Sequence, residues 1–190
     1  RCDALGAAGG AWGVLTPQRR ANRGQRLAAD LRLSDGLAGR RTKARTMTRG
    51  YAAIGLHQPK TPVNVGAALR AAGCYGAAMV ATSGRRYSRA PTDTMKIYRH
   101  LPLIQCDDLH GVIPFDCVPV AVDLIPGAVS LKDYKHPERA FYVFGPEDGT
   151  LGREILSWCR DVIYVPTNGC MNLAATVNVV LYDRAAKQAG

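Results

Sequence analysis

A parallel α/β sheet flanked by helices is the fold class this 190-residue chain predicts, and three observations carry it. Residues 141–144 and 162–165 are short aromatic and β-branched runs, stopped by Gly145-Pro146 and by Pro166, as strands buried on both faces are. Each run is followed by helical spacing. Leu151, Ile155, Leu156 and Cys159 follow the first, and Leu173, Val177, Val180 and Leu181 follow the second. Upstream, further strand-like runs are separated by loops and an Ala-rich helical stretch, the alternation of a parallel sheet. Strands arranged this way leave a ligand crevice at their carboxyl ends.

Taken in order, the first strand is residues 51–56, and His57 to Pro62 form a rigid loop. Asn64 then suits the start of a helix, its side-chain oxygen accepting a backbone N–H as a cap. Arg70 is the only charge between Lys60 and Arg85, inside that Ala-rich helix. It is either a solvated helix charge or a guanidinium facing an anion or carboxylate. Residues 77–82 form the next strand. The segment after it holds Arg85, Arg86, Tyr87 and Arg89, followed by Lys96, Tyr98, Arg99 and His100. Cations interleaved with tyrosines suit a surface that tracks an RNA backbone and stacks bases; a solvated basic loop is the alternative. Strands follow at 101–106 and 118–125, with Asp107-Asp108 a turn or helix start, and residues 132–139 are a polar connection. The helix from about Asn172 carries so many apolar residues that burial nearly all round is expected. There are no internal repeats.

The net charge of +10 is unevenly spread. Residues 1–46 hold ten Lys/Arg and three Asp, whereas residues 47–190 hold fifteen basic and twelve acidic residues. The division is therefore a basic Gly/Ala/Arg-rich extension over 1–46 and a folded domain over 47–190, with room for a sizeable core. The extension fits a disordered phosphate-binding tail, a targeting peptide short of serine and of an apolar core, or a segment foreign to the natural protein, with Met47 the true start. The last is preferred. The six cysteines form no C-x-x-C pair, which disfavours a disulfide framework or a zinc site and places the protein in a reducing cytoplasm. No metal is expected, and no apolar run is long enough to span a bilayer. The absence of G-x-G-x-x-G after the first strand disfavours a dinucleotide pyrophosphate cradle. These residues alone point to a nucleotide-type ligand and no further.

Three motifs resemble one family. Asn64-Val65-Gly66, ending at Arg70, resembles N-x-G-x-x-x-R. Gly145-Pro146-Glu147 with Leu151 resembles a second motif, and Cys170-Met171-Asn172-Leu173 with Val180-Leu181-Tyr182-Asp183 a third. Together, over roughly residues 50–187, they resemble the SpoU/TrmH-type RNA methyltransferases of the SPOUT superfamily, which move a methyl group from S-adenosylmethionine to a ribose 2′-hydroxyl. The resemblance implies a C-terminal trefoil (α/β) knot, the last helix passing through the loop that contains Gly145 to Thr150. It implies S-adenosylmethionine held near Leu124, Gly145, Glu147, Gly149, Val165, Pro166, Cys170, Met171 and Asn172. It also implies a homodimer whose RNA-facing site is built from both subunits.

By the same resemblance, Arg70, Asn64, Glu147 and Asn172 are the catalytic set. Arg70 clamps the phosphate beside the reacting oxygen rather than acting as a base, because a guanidinium stays protonated. Glu147 orders the loops, or is a plain loop carboxylate at a helix N-terminus. Asn172 holds the loop or substrate, or is an N-cap. Arg70, Arg85, Arg86, Tyr87 and Arg89 meet the RNA. Tyr182 marks the dimer face, the cofactor wall or the core, and His100 is a weaker catalytic candidate. Two departures from the family pattern stand out: Thr150 where glycine is common, with Gly149 one place early, and Cys170 where serine is common. The small size suggests the minimal single-domain members that methylate the wobble ribose of tRNA, so tRNA is expected before rRNA. The competing expectations are a non-catalytic RNA- or nucleotide-binding module on the same fold and a base-methylating SPOUT enzyme.

Overall fold

A computed structural model describes residues 50–84 and 96–188. Its sheet has seven strands: β1 (Tyr51–His57), β2 (Met79–Ser83), β3 (Leu103–Cys106), β4 (Val118–Val122), β5 (Val129–Ser130), β6 (Arg139–Phe144) and β7 (Asp161–Tyr164). Their spatial order is β3-β2-β1-β6-β4-β7-β5. Every neighbouring pair is parallel, as the fold class requires. All carboxyl ends therefore open on one edge. Chain order and spatial order diverge around β6, which lies between β1 and β4, and a crevice is expected at such a point.

Among the described residues, three α-helices cover the sheet: α1 (Pro62–Tyr75), α2 (Gly152–Trp158) and α3 (Leu173–Gln188). Pro62 opens α1, where its missing N–H costs nothing, and Gly76 closes it at φ 71°, a left-handed conformation that glycine adopts without strain. One sheet face, with Ile54, Leu56, Tyr142 and Phe144, packs on Val65, Ala68 and Leu69 of α1 and on Val177, Val180 and Leu181 of α3. The other, with Ala53, Ala81, Phe141 and Val143, packs on Leu109, Leu151 and Ile155. Both faces are thus covered, and this is why the central strands are continuous apolar runs rather than alternating ones.

Several boundaries differ from expectation. The strand expected over 118–125 stops at Val122, because Asp123 turns the chain and its Oδ1 accepts the N–H of Leu124 at 2.8 Å. The two-residue strand β5 was not legible, and residues 132–139 are more than a polar connection. Tyr134 is buried there and His136 is enclosed, donating and accepting against Tyr142 and Asp183. Asp108 caps a turn, accepting from the N–H groups of His110 and Gly111. Burial of α3 nearly all round does not hold. It buries one face and leaves Val179 36% and Tyr182 63% exposed. Tyr182 meets Tyr75 of α1 edge-on and is not a core residue.

Arg184 anchors the far end of α3. It is 4% exposed and donates to the carbonyls of Pro137, Glu138 and Tyr51 and to the Tyr142 hydroxyl. Lys187 Nζ, one turn on, donates to the carbonyls of Leu131, Lys132 and Tyr134. Gly50 is dictated by this packing. Its φ is +113°, and an added Cβ would lie 2.6 Å from the Glu138 carbonyl oxygen.

Candidate active site

The crevice lies at the carboxyl ends of β4, β6 and β7 and is closed by the first turn of α3. Three loops build it. After β4, the Asp123 carboxylate joins two of them: Oδ1 takes the Leu124 N–H, and Oδ2 takes the Leu151 N–H at 2.9 Å. After β6, Glu147 reaches back to the start of α1. Its Oε2 accepts the Lys60 N–H at 2.8 Å, and its Oε1 accepts the Thr61 N–H at 3.1 Å and the Asn64 side-chain N–H at 2.7 Å. After β7, Thr167 Oγ1 donates to the Gly169 carbonyl at 2.7 Å and tightens the turn that presents Cys170 and Met171.

Asn172 completes a chain of side chains. Its Oδ1 caps α3 by accepting from Ala174 and Ala175, while its Nδ2 donates to Asn64 Oδ1 at 3.0 Å. Asn64 in turn donates to Glu147. Residues 108 positions apart are thereby joined through one buried asparagine. Both amides and the carboxylate hold defined roles, donor to acceptor, from α3 through α1 to the β6 loop.

Burial pushes the Glu147 carboxyl up, but the hydrogen bonds from Lys60, Asn64 and Thr61 together outweigh that and hold its pKa below the ordinary carboxylate value. Glu147 is therefore ionised and serves as an acceptor. It is placed to order loops and not to take up a proton. Lys60 Nζ adds an exposed ion pair with Asp148 at 3.4 Å.

Of the residues expected at the cofactor, Leu124, Gly145, Glu147, Gly149, Val165, Cys170 and Met171 line the crevice. Pro166 and Asn172 do not, although Asn172 sits at its rim as the α3 cap. Among the catalytic candidates, Asn64, Glu147 and Asn172 meet. Arg70 stands apart, exposed on α1 and outside the crevice lining. The helix-cap role for Asn64 does not hold: α1 begins at Pro62 with Thr61 as its cap, so Asn64 lies within the first turn and spends its oxygen on Asn172. Arg85, Arg86, Tyr87 and Arg89 lie outside the described residues, as does the 1–46 extension. His100 is exposed.

The early glycine is resolved simply. The left-handed conformation falls on Gly152 at φ +75°, while a Cβ at Gly149 would make only an ordinary 3.5 Å contact with Pro146. Asp123, Tyr164, Thr167 and Thr176 also line the crevice and were not anticipated. Asp123 had a legible signal, the one carboxylate within an otherwise apolar run from Val118 to Ile125; the others had none. Among the described residues, no group of three or more His, Cys, Asp or Glu could hold a metal, and no helix is long and apolar enough to cross a membrane.

The geometry matches known proteins. No curated protein matches the chain, but solved structures do. AviRb, a SpoU methyltransferase from Streptomyces viridochromogenes solved with AdoMet, superposes with a TM-score of 0.67 at 17% identity, covering 74% of this chain and 62% of that one. A structure described for 2′-OH methylation of C/U34 on tRNA gives 0.64 at 23% identity, covering 74% of this chain and 92% of that one. The TrmH/SpoU tRNA modifying enzyme of A. aeolicus gives 0.65 at 16%, covering 73% and 75%. The chain thus spans about three fifths of the length of AviRb. These likenesses establish a shared fold. The model of the SpoU rRNA methylase family matches residues 51–182, most of the chain and all three loops of the crevice, and the chain belongs to that family.

Proposed function

We propose that the protein transfers a methyl group from S-adenosylmethionine to a ribose 2′-hydroxyl of RNA, with tRNA the preferred substrate. The observation that carries this is the Asn172–Asn64–Glu147 chain, which gathers the three family motifs around one crevice. The crevice fits the cofactor by its chemistry. Leu124, Val165 and Met171 offer apolar walls for an uncharged base, and the loops offer backbone groups. Among the described residues, its charged lining groups are Asp123 and Glu147, with no cation to attract a pyrophosphate. When bound, S-adenosylmethionine supplies an electrophilic methyl group. Leu124, Gly145, Val165 and Met171 would hold it, and the Glu147–Asn64–Asn172 chain keeps their loops in register.

Arg70 is assigned to the RNA. It is a permanent cation, so it positions the phosphate and stabilises charge on the attacking oxygen. Its place outside its own crevice supports a site completed by a second subunit. The exposed Val63, Val179 and Tyr182 on the paired helices α1 and α3 support a homodimer through that face. Lys96, Tyr98 and Arg99, all exposed, extend the basic segment toward the RNA. Asn172, tied to Glu147 through Asn64, suits a last helix that threads the 145–150 loop as a knot. The preference for tRNA rests on the tRNA-related structure, 92% of whose length this chain covers. The exposed, unbridged Cys74 and Cys170 suit a reducing cytoplasm.

The test is labelled methyl incorporation into separated tRNA and rRNA. Resistance of the adjoining bond to alkali marks ribose methylation, whereas a labelled but alkali-sensitive product would mean base methylation. No incorporation together with no cofactor binding would leave a non-catalytic module.

A further inference from the structure

We propose that Asp123 is a specificity-determining residue that makes the crevice prefer the positively charged methyl donor over its uncharged, demethylated product. The inference rests on the adenosyl-donor reading of the crevice and adds to it a residue with a separable role.

The argument starts from charge. Among the described residues, the crevice is lined by two carboxylates and by no lysine, arginine or histidine. Glu147 is committed elsewhere, since three N–H donors from Lys60, Thr61 and Asn64 converge on its two oxygens at the start of α1. Asp123 is committed less fully. Among the described residues it takes one backbone N–H on each oxygen, from Leu124 and from Leu151. A carboxylate oxygen has about two acceptor sites, so each keeps one. Its two donors are neutral, so its negative charge is uncompensated by any cation lining the crevice.

S-adenosylmethionine carries a sulfonium, an ammonium and a carboxylate, hence one net positive charge. The product left after methyl loss is a thioether with no net charge. The two ligands share adenine, ribose and amino-acid groups, so apolar walls and backbone hydrogen bonds hold them about equally. A fixed charge is what separates them. One unit charge in a partly solvated crevice distinguishes a cation from a neutral isostere by on the order of threefold to tenfold in affinity. An anion in this position therefore favours exchange of spent product for fresh donor, a step that limits many transferases.

Asp123 also ties the β4 loop to Leu151, so a variant loses loop order as well as charge. The two effects separate by comparing ligands. Titration calorimetry of the full chain would use S-adenosylmethionine and S-adenosylhomocysteine with the unmodified protein, Asp123→Asn and Asp123→Ser, after circular dichroism has established that each is folded. The expected result is that both substitutions lower the donor-to-product affinity ratio by about threefold to tenfold. Added salt is expected to shrink that ratio in the unmodified protein and leave it flat in the variants. A uniform loss for both ligands would reduce Asp123 to a loop tie and overturn the proposal, as would an unchanged ratio. Failure of the unmodified protein to bind either ligand would overturn the donor reading itself.

Discussion

Asn64 is where the site is most sensitive to a single atom. Its amide nitrogen donates to Glu147 and its amide oxygen accepts from Asn172, so aspartate there would lose the donor and set two carboxylates against each other. The chain predicts coupling. Asn64→Ala and Glu147→Ala are expected each to weaken S-adenosylmethionine binding, and together to weaken it less than the sum. The coupling is about 0.5–1 kcal/mol, at the low end of contacting pairs because Glu147 is exposed. A double-mutant cycle read by calorimetry measures it; full additivity would mean the two residues act separately.

His136 makes a second residue-scale prediction. The Tyr142 oxygen accepts from Arg184, so its own proton goes to His136 Nδ1, and Nε2–H of His136 faces Asp183 at 2.8 Å. That arrangement needs a neutral ring. Burial lowers the His136 pKa from its ordinary 6.5; Asp183 pulls it back up, while Arg184 and Lys187 add to the lowering. With the folded value below the unfolded one, the unfolded chain binds the proton more readily. The stabilisation is complete above pH 6.5 and lost as pH falls from there through the folded value. Urea unfolding between pH 5 and 7.5 is expected to show this slope. His136→Gln is expected to reduce it, leaving the part due to His57, whose pKa burial also lowers.

At the scale of elements, α3 is held at both ends. Asn172 fixes its start, and Arg184 and Lys187 pin its last turns to the backbone of residues 131–138. Arg184→Met keeps the stem and removes the donors, leaving buried carbonyls and the Tyr142 hydroxyl unpaired. A loss of about 3 kcal/mol is expected, measured as a lower urea midpoint with an unchanged slope. Little of this was legible in the sequence. Arg184 and Lys187 look like solvated charges near a helix end, and residues 132–139 look like a linker, because their partners are carbonyls that sequence does not display. The strands were legible because burial on both faces leaves uninterrupted apolar runs such as residues 141–144. The strand end at Asp123 was overrun because Leu124 and Ile125 are apolar too, although Leu124 lies 66% exposed. The crevice followed from the motifs at Gly145 and Cys170. The hydrogen bonds joining it cross 83 and 108 positions, and no local pattern encodes contacts at that distance.

On the scale of the whole molecule, the placement of Arg70 bears on assembly. It lies about 1.7 turns along α1 from Asn64, exposed, while the crevice opens at the sheet edge. The proposed homodimer pairs through α1 and α3, where the exposed Tyr182 and Val179 supply an apolar face, and on that proposal the Arg70 of one subunit completes the crevice of the other. Tyr182→Glu with Val179→Asp is accordingly expected to yield monomers by light scattering and to abolish methyl transfer while the fold persists. The sharper test uses complementation. Arg70→Ala and Glu147→Ala are each expected to be inactive as homodimers. In a refolded equal mixture, half the dimers are mixed, and each mixed dimer holds one composite site with both residues intact. Activity is then expected to return to about a quarter of the unmodified level. If Arg70 serves its own crevice instead, every site in the mixture lacks one residue and activity stays at the level of the two variants alone.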